Sequence, residues 1–241
     1  MASIKDERGY NQGFRKTKAL ELRTQRRADV IISNMMLPTE IDLRKKIRIL
    51  EIGCGTGELS YLIANITNCI VTGVDLSEDF IKFANENYKL NNLNFLCNDL
   101  INENNLNDYK YDFIIGNGIL HHLYYHLNPF LLRTKDMLNI NGKILFWEPN
   151  LYNPYIYSIF NIVFLRRFFK LEPTEMAFTS NYISRLLVNN GYKVNVIQEK
   201  DFLLPCTPFY LINLNIYIGE LLEKYSITRI FAQSIFIVAS K

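Results

Sequence analysis

The segment Ile49-Leu50-Glu51-Ile52-Gly53-Cys54-Gly55-Thr56-Gly57-Glu58-Leu59-Ser60 reads as an apolar strand, a Gly-x-Gly-x-Gly turn and the start of a helix. Glycine has no Cβ and accepts positive φ, so such a turn lets the backbone approach a ligand closely. In an open α/β sheet, ligands sit at the carboxyl ends of strands beside a turn of this kind. A dinucleotide fingerprint, G-x-G-x-x-G, places its last glycine where this chain has Glu58; here the third glycine comes one residue earlier, at Gly57. That spacing counts against NAD and FAD. No Gly-Lys-Ser/Thr follows, which counts against a phosphate loop.

Outward from this turn, short apolar runs alternate with helical patterns. Strands are expected at 47–52, 70–75, 94–97, 111–116 and 142–147, with helices starting at 57–65 and spanning 77–90 and 128–138. Strands that alternate with helices imply right-handed crossovers and a parallel sheet covered on both faces. Two further strands, at 192–199 and 234–239, complete an α/β fold: a Rossmann-like, seven-stranded, mostly parallel sheet with helices on both faces. The stretch 10–36 reads as a helix with a stripe of Leu20, Ala28, Ile31, Ile32 and Met35, ended by Pro38. The organisation expected is one domain over 1–241. Residues 1–40 form a helical lid and 47–147 the cofactor-binding core. Helical insertions on the substrate side follow strands 5 and 6, at 148–178 and 202–226.

Composition narrows the class. The chain has 241 residues with 49% hydrophobic and 21% charged, enough for one sizeable core. A net charge of +3 is too small to suggest nucleic-acid binding. Arg8, Arg15, Lys16, Lys18, Arg23, Arg26 and Arg27 crowd the N-terminal region, which reads as the solvated face of a helix or, alternatively, as a contact for an anionic substrate or membrane. Cys54, Cys69, Cys97 and Cys206 form no C-x-x-C pair and no ligand motif, so neither a disulfide framework nor a metal site is expected. The start, Met-Ala-Ser-Ile-Lys-Asp-Glu, has no apolar run, and the longest apolar stretch, near 155–165, is far shorter than the roughly 20 residues a membrane span needs. A cytoplasmic setting is the expectation.

Asp75 ends the second strand, where an acid can accept hydrogen bonds from both hydroxyls of a ribose; Ser77, directly before the helix, is the better cap candidate. Together these segments resemble the class I S-adenosylmethionine-dependent methyltransferases, and among them the broad small-molecule type 11 set. The resemblance covers about 47–147, in order: Glu51–Gly57, Val74–Ser77, Phe95–Leu100, Tyr111–Leu123 and Asn141–Phe146. It implies S-adenosyl-L-methionine as cofactor and S-adenosyl-L-homocysteine as product. It further implies that Glu51 and the turn of Gly53, Cys54, Gly55 and Gly57 cradle the methionine half. Asp75 would hold the ribose, with Leu76 on the adenine. Asp99 would accept from the adenine amino group, beside Asn98 and Leu100, and the Asn117 backbone would meet the methionine ammonium.

Two further features fall at the ligand edge. His121 and His122 follow the fourth strand; adjacent residues at a helix start point different ways, and His121 is the candidate base. Glu148, in Glu148-Pro149-Asn150, follows the fifth strand and is a second candidate for proton removal or for binding a polar group. Tyr10, His122, Tyr152 and Tyr155 are the candidate substrate and lid residues. The function expected is in-line methyl transfer to an O, N or C atom of a partly hydrophobic small molecule, such as a secondary metabolite, a quinone-like compound or a lipid-linked acceptor. The alternatives are methylation of a peptide or protein, or S-adenosylmethionine binding without catalysis. Peripheral membrane contact and a monomer or homodimer fit either.

Overall fold

The alternation of apolar runs becomes seven strands and their connecting helices in the computed structural model, which describes residues 17–35, 46–100 and 109–241. In chain order they are α1 (Lys18–Met35), β1 (Arg48–Ile52), α2 (Glu58–Ile66), β2 (Ile70–Asp75), α3 (Glu78–Asn87), β3 (Leu93–Cys97) and β4 (Tyr111–Asn117). A 3-10 helix (Leu120–His126) then leads into α4 (Leu127–Met137) and β5 (Leu138–Pro149). The insertion carries α5 (Pro154–Asn161) and α6 (Val163–Phe168), followed by α7 (Ser180–Asn189) and β6 (Lys193–Lys200). A 3-10 turn (Phe209–Leu211), α8 (Ile212–Glu223), α9 (Ser226–Arg229) and β7 (Ser234–Ser240) close the chain. Tyr10, with the rest of 1–16 and Pro38, lies outside the described residues.

The sheet order is β3-β2-β1-β4-β5-β7-β6. Pairings from β3 through to β5 are parallel, and β7 runs antiparallel between β5 and β6. Chain progression reverses between β1 and β4, and a crevice opens at such a switch point beyond the strand carboxyl ends. Because successive side chains of a strand face opposite ways, the central strands divide their residues between two cores. Leu50, Ile114, Ile144, Phe146, Ile235 and Ile237 pack on one face. Ile49, Ile115, Leu145, Trp147, Phe236 and Val238 pack on the other, with Ala28, Ile31 and Met35 of α1.

Local chemistry starts the helices where expected. The Ser77 side chain accepts from the Phe80 N–H at 3.4 Å and caps α3, while Asn153 caps α5 with Pro154 in its first turn. One strand begins earlier than its apolar run: β5 starts at Leu138 rather than 142, because Leu138 already pairs with Tyr111 of β4 and an irregularity, with Asn141 at φ 67, separates that pair from Lys143 and Phe113. The reading of the N-terminal cations as a solvated face needs a correction. Lys18 and Arg26 are exposed, but Arg23 and Arg27 turn inward and share Asp201, with side chains 12% and 8% exposed. Amphipathic spacing places them on the same side as Ala28 and Ile31, and a buried acid supplies the counter-charge that burial demands.

Candidate functional site

A cleft of about 380 Å³ lies at the switch point, within the range usual for small-molecule sites. Glu51 from the end of β1, Asp75 and Leu76 after β2, Asn98, Asp99 and Leu100 after β3, and Asn117 from β4 line it, together with Gly53, Cys54 and Gly55. Leu20 and Thr24 of α1 and Glu172 of the insertion also line it. These last three carry no motif and were not legible in the sequence.

The turn's glycines serve different ends. Gly57 does not line the cleft; at φ 83, a Cβ there would stand 2.6 Å from Phe95 Cζ and 2.9 Å from Ala84 Cβ. Gly57 therefore lets α2 close onto β3 and α3. At Gly55, φ 52, a Cβ would meet no atom within 4 Å, so this residue borders the open cradle itself. The Gly55 N–H donates to Asp75 Oδ2 at 2.8 Å, and the Ser77 N–H donates to Asp75 Oδ1 at 3.0 Å. Two amides thus fix the carboxylate, and each oxygen keeps a lone pair for a hydroxyl.

Glu51 is 2% exposed and accepts from the Ser60 hydroxyl. Burial pushes its carboxyl up to about 8, which the Ser60 bonds only partly offset. The native state therefore holds a proton that the unfolded chain gives up near its ordinary value of 4.5, and stability falls as pH rises through that window. Glu51→Gln keeps an acceptor for Ser60 and does not titrate. Between about pH 5.5 and 7.5 the variant should gain roughly 2–3 kcal/mol on the native protein in urea unfolding. A difference that stays constant with pH would contradict the assignment.

Asn117 is held from α1: Arg27 Nη1 donates to its Oδ1 at 2.6 Å. The Arg27 guanidinium also lies 4.9 Å from the Trp147 ring and bonds Asp201 at 3.1 and 3.0 Å. Burial and the like charge of Arg23 pull Arg27 down to about 9 against the attraction of Asp201, so it is cationic at neutral pH.

Glu148 is 1% exposed. Its Oε1 accepts from the Ile119 and Leu120 amides at 2.9 and 2.7 Å, and its Oε2 from the His121 amide at 3.2 Å. His121 Nδ1 lies 2.9 Å from the same Oε2. A carboxylate so supplied anchors the 3-10 helix and orients an imidazole, and it does not line the cleft. Of the two histidines, His122 lines the cleft and His121 does not. Nor do their rings diverge as the sequence suggested: the centroids are 4.2 Å apart. Glu148 holds one ring. Glu175, delivered by a bond from the Met176 N–H to the His121 carbonyl at 3.1 Å, holds the other through His122 Nδ1 at 3.0 Å. Burial opposes the charge on His122, but the Glu175 bond and charge outweigh it and hold the imidazole above its ordinary value. Tyr152 and Tyr155 stand away from the cleft. The Tyr152 hydroxyl meets Asn181 at 3.5 Å, and Tyr155 lines a second, apolar hollow of about 320 Å³ with Phe164, Phe168 and Phe169.

A family model described as a methyltransferase domain matches residues 43–191. The malonyl-[acyl-carrier protein] O-methyltransferase of Acetivibrio thermocellus is 34% identical over 80 residues, 33% of this chain and 28% of that protein. The ribosomal protein L11 methyltransferase of Lactobacillus johnsonii is 35% identical over 114 residues, 46% of this chain and 34% of that protein. The chain spans about a third of the length, or less, of these curated relatives. Among solved structures, a SAM-dependent methyltransferase from Archaeoglobus fulgidus superposes with a TM-score of 0.62 at 21% identity, covering 92% of this chain and 94% of that one. That likeness is one of fold.

Proposed function

The chain belongs to the methyltransferase domain family and has the class I S-adenosylmethionine-dependent methyltransferase fold, and from that premise we propose that it transfers a methyl group from S-adenosylmethionine to a partly hydrophobic small molecule. The observation that carries the reading is the Asp75 carboxylate, fixed by the Gly55 amide at the mouth of a glycine cradle with open space where a side chain would stand. The donor supplies an electrophilic methyl on a sulfonium, so the protein's work is alignment and exclusion of water.

In this reading Asp75 takes the ribose hydroxyls, and Asn98, Asp99 and Leu100 border the adenine beside Leu76. Glu51 and Asn117 face the methionine end. A cation beside Glu51 favours its ionised form, so donor binding releases a proton there. Support for His122 as the acceptor-side contact is its place in the cleft lining. Glu148 and His121 act behind it as positioning residues. The malonyl-[acyl-carrier protein] relative favours an oxygen acceptor, and Leu20, Ile119, Leu123 and Phe130 in the cleft lining favour a partly hydrophobic one. A lipid-linked acceptor reached at a membrane surface is the second reading, favoured by the exposed Val163, Phe164 and Phe168 of α6. No helix among the described residues is long and apolar enough to cross a membrane.

Calorimetry with S-adenosylhomocysteine should show saturable 1:1 binding, with none for NAD. Incubation with methyl-labelled donor and a cell extract should move label into organic-soluble metabolites. Label appearing only in protein would transfer the reading to peptide methylation. Donor binding with no transfer to any fraction would leave a binding protein.

A further inference from the structure

His122, which borders the cleft, stands in a group with His121 and Glu175 behind it. One ligand atom from each of His121, His122 and Glu175 lies within 4.8 Å of the others. No spacing in the chain announces this group, because Glu175 comes from the insertion, which the Met176-to-His121 backbone bond brings against the histidines.

The protonation pattern leaves a nitrogen available. Glu148 already accepts three amide N–H groups, so it is an acceptor toward His121 as well. Nδ1 of His121 therefore donates to it, and in the neutral imidazole the lone pair is on Nε2. A carboxylate that fixes one ring nitrogen in this way is the usual support of a metal-ligating histidine. The His122 Nδ1 to Glu175 Oε1 separation is 3.0 Å, and two ligands each about 2 Å from one metal ion sit about 3 Å apart. The Glu175 segment is itself braced: the Arg166 guanidinium donates to the carbonyls of Phe160, Glu172 and Glu175 at 2.8, 2.7 and 3.2 Å. The side chain of Glu175 is 4% exposed and that of His121 12%, whereas His122 is 35% exposed on the cleft side.

We propose that His121, His122 and Glu175 form a binding site for a divalent first-row transition ion, with its open coordination positions facing the methyl-acceptor end of the cleft. Two imidazoles and a carboxylate suit zinc, iron, cobalt or nickel rather than calcium or magnesium. Three protein ligands with a position left open are the pattern of catalytic rather than structural sites. The ion would hold an acceptor oxygen and lower its pKa, which selects phenolic, enolic or carboxylic acceptors able to bind a metal. This last step rests on the methyl-transfer reading; the binding of the ion does not.

The test is a titration of the full chain with cobalt(II), without donor or acceptor, followed by visible absorption. One equivalent should bind with ligand-field bands that zinc(II) displaces. His122→Ala and Glu175→Gln should each weaken binding at least about 10-fold, while His126→Ala, on the exposed end of the same 3-10 helix, should leave the titration unchanged. Circular dichroism and S-adenosylhomocysteine calorimetry on the same preparations establish that the variants are folded. Absence of saturable binding, or binding equal in all variants, means an ion pair only and overturns the proposal. Cobalt binding without homocysteine-product binding would instead overturn the donor assignment and leave the metal site standing.

Discussion

Replacing Asp75 by alanine is expected to weaken S-adenosylhomocysteine binding about 100-fold or more. Hydrogen bonds to a charged group contribute about 1.5–3 kcal/mol each, and the carboxylate offers two to a ribose; each 1.4 kcal/mol is about tenfold in affinity. The substitution also removes the acceptor of the Gly55 amide at 2.8 Å and the Ser77 amide at 3.0 Å. The turn then loses its side-chain contact with the end of β2 and keeps the Cys54 N–H to Val74 carbonyl bond at 2.9 Å. Asp75→Asn keeps one oxygen and the side-chain shape, so its loss should be smaller, with fewer charge-assisted bonds as the cause. Calorimetry on both variants separates the two contributions. Affinity within about threefold of the native protein for Asp75→Ala, a change of well under 1 kcal/mol, would remove Asp75 from the donor site.

The second large effect is on stability. Asp201→Ala is expected to lower the unfolding free energy by about 3–5 kcal/mol, the range for removing one partner of a buried ion pair. Arg23 Nε and Arg27 Nε approach its Oδ2 at 2.8 and 3.1 Å, so alanine leaves two guanidinium groups enclosed without their counter-charge. Burial alone would raise the Asp201 carboxyl, yet the two arginines outweigh it and hold it below its ordinary value. Its charge is therefore part of the native balance at neutral pH. Asp201 also has φ 72, a conformation asparagine tolerates better than alanine. Asp201→Asn then isolates the charge from the backbone. Urea unfolding with comparison of midpoint and slope measures both. Because Arg27 also bonds Asn117, the alanine variant should weaken donor binding as well. A loss below about 1 kcal/mol would show that the arginines find solvent in the native state.

Legibility differed from element to element for a physical reason. The glycine turn, Asp75 and the strand pattern are local: backbone freedom, hydrogen-bond capacity and side-chain period are properties of adjacent residues, and they predicted the sheet and the edge at which Asp75 stands, while the family resemblance pointed to Glu51, Asn98 and Asn117 at the same edge. Arg23 and Arg27 were misread because helical spacing says which residues share a face, not what that face meets; Asp201 lies some 170 residues on. The histidine pair was misread for the same reason. Consecutive residues diverge on an unperturbed helix, but Glu148 and Glu175, from two other elements, draw the rings to a 4.2 Å separation.

The sequence by itself determined the α/β fold, the glycine turn and the acid at the end of β2, since these follow from short-range pattern and from the rule that strand carboxyl ends face the ligand; the resemblance added Glu51, Asn98, Asp99, Leu100 and Asn117, which also border the cleft. Only the tertiary structure decided that α1 is bolted to the sheet through Asp201, that Glu148 supports rather than faces the cleft, and that Glu175 joins His121 and His122. Those relations depend on charges and ligand atoms from distant segments being enclosed together, and enclosure is a property of the packed chain alone.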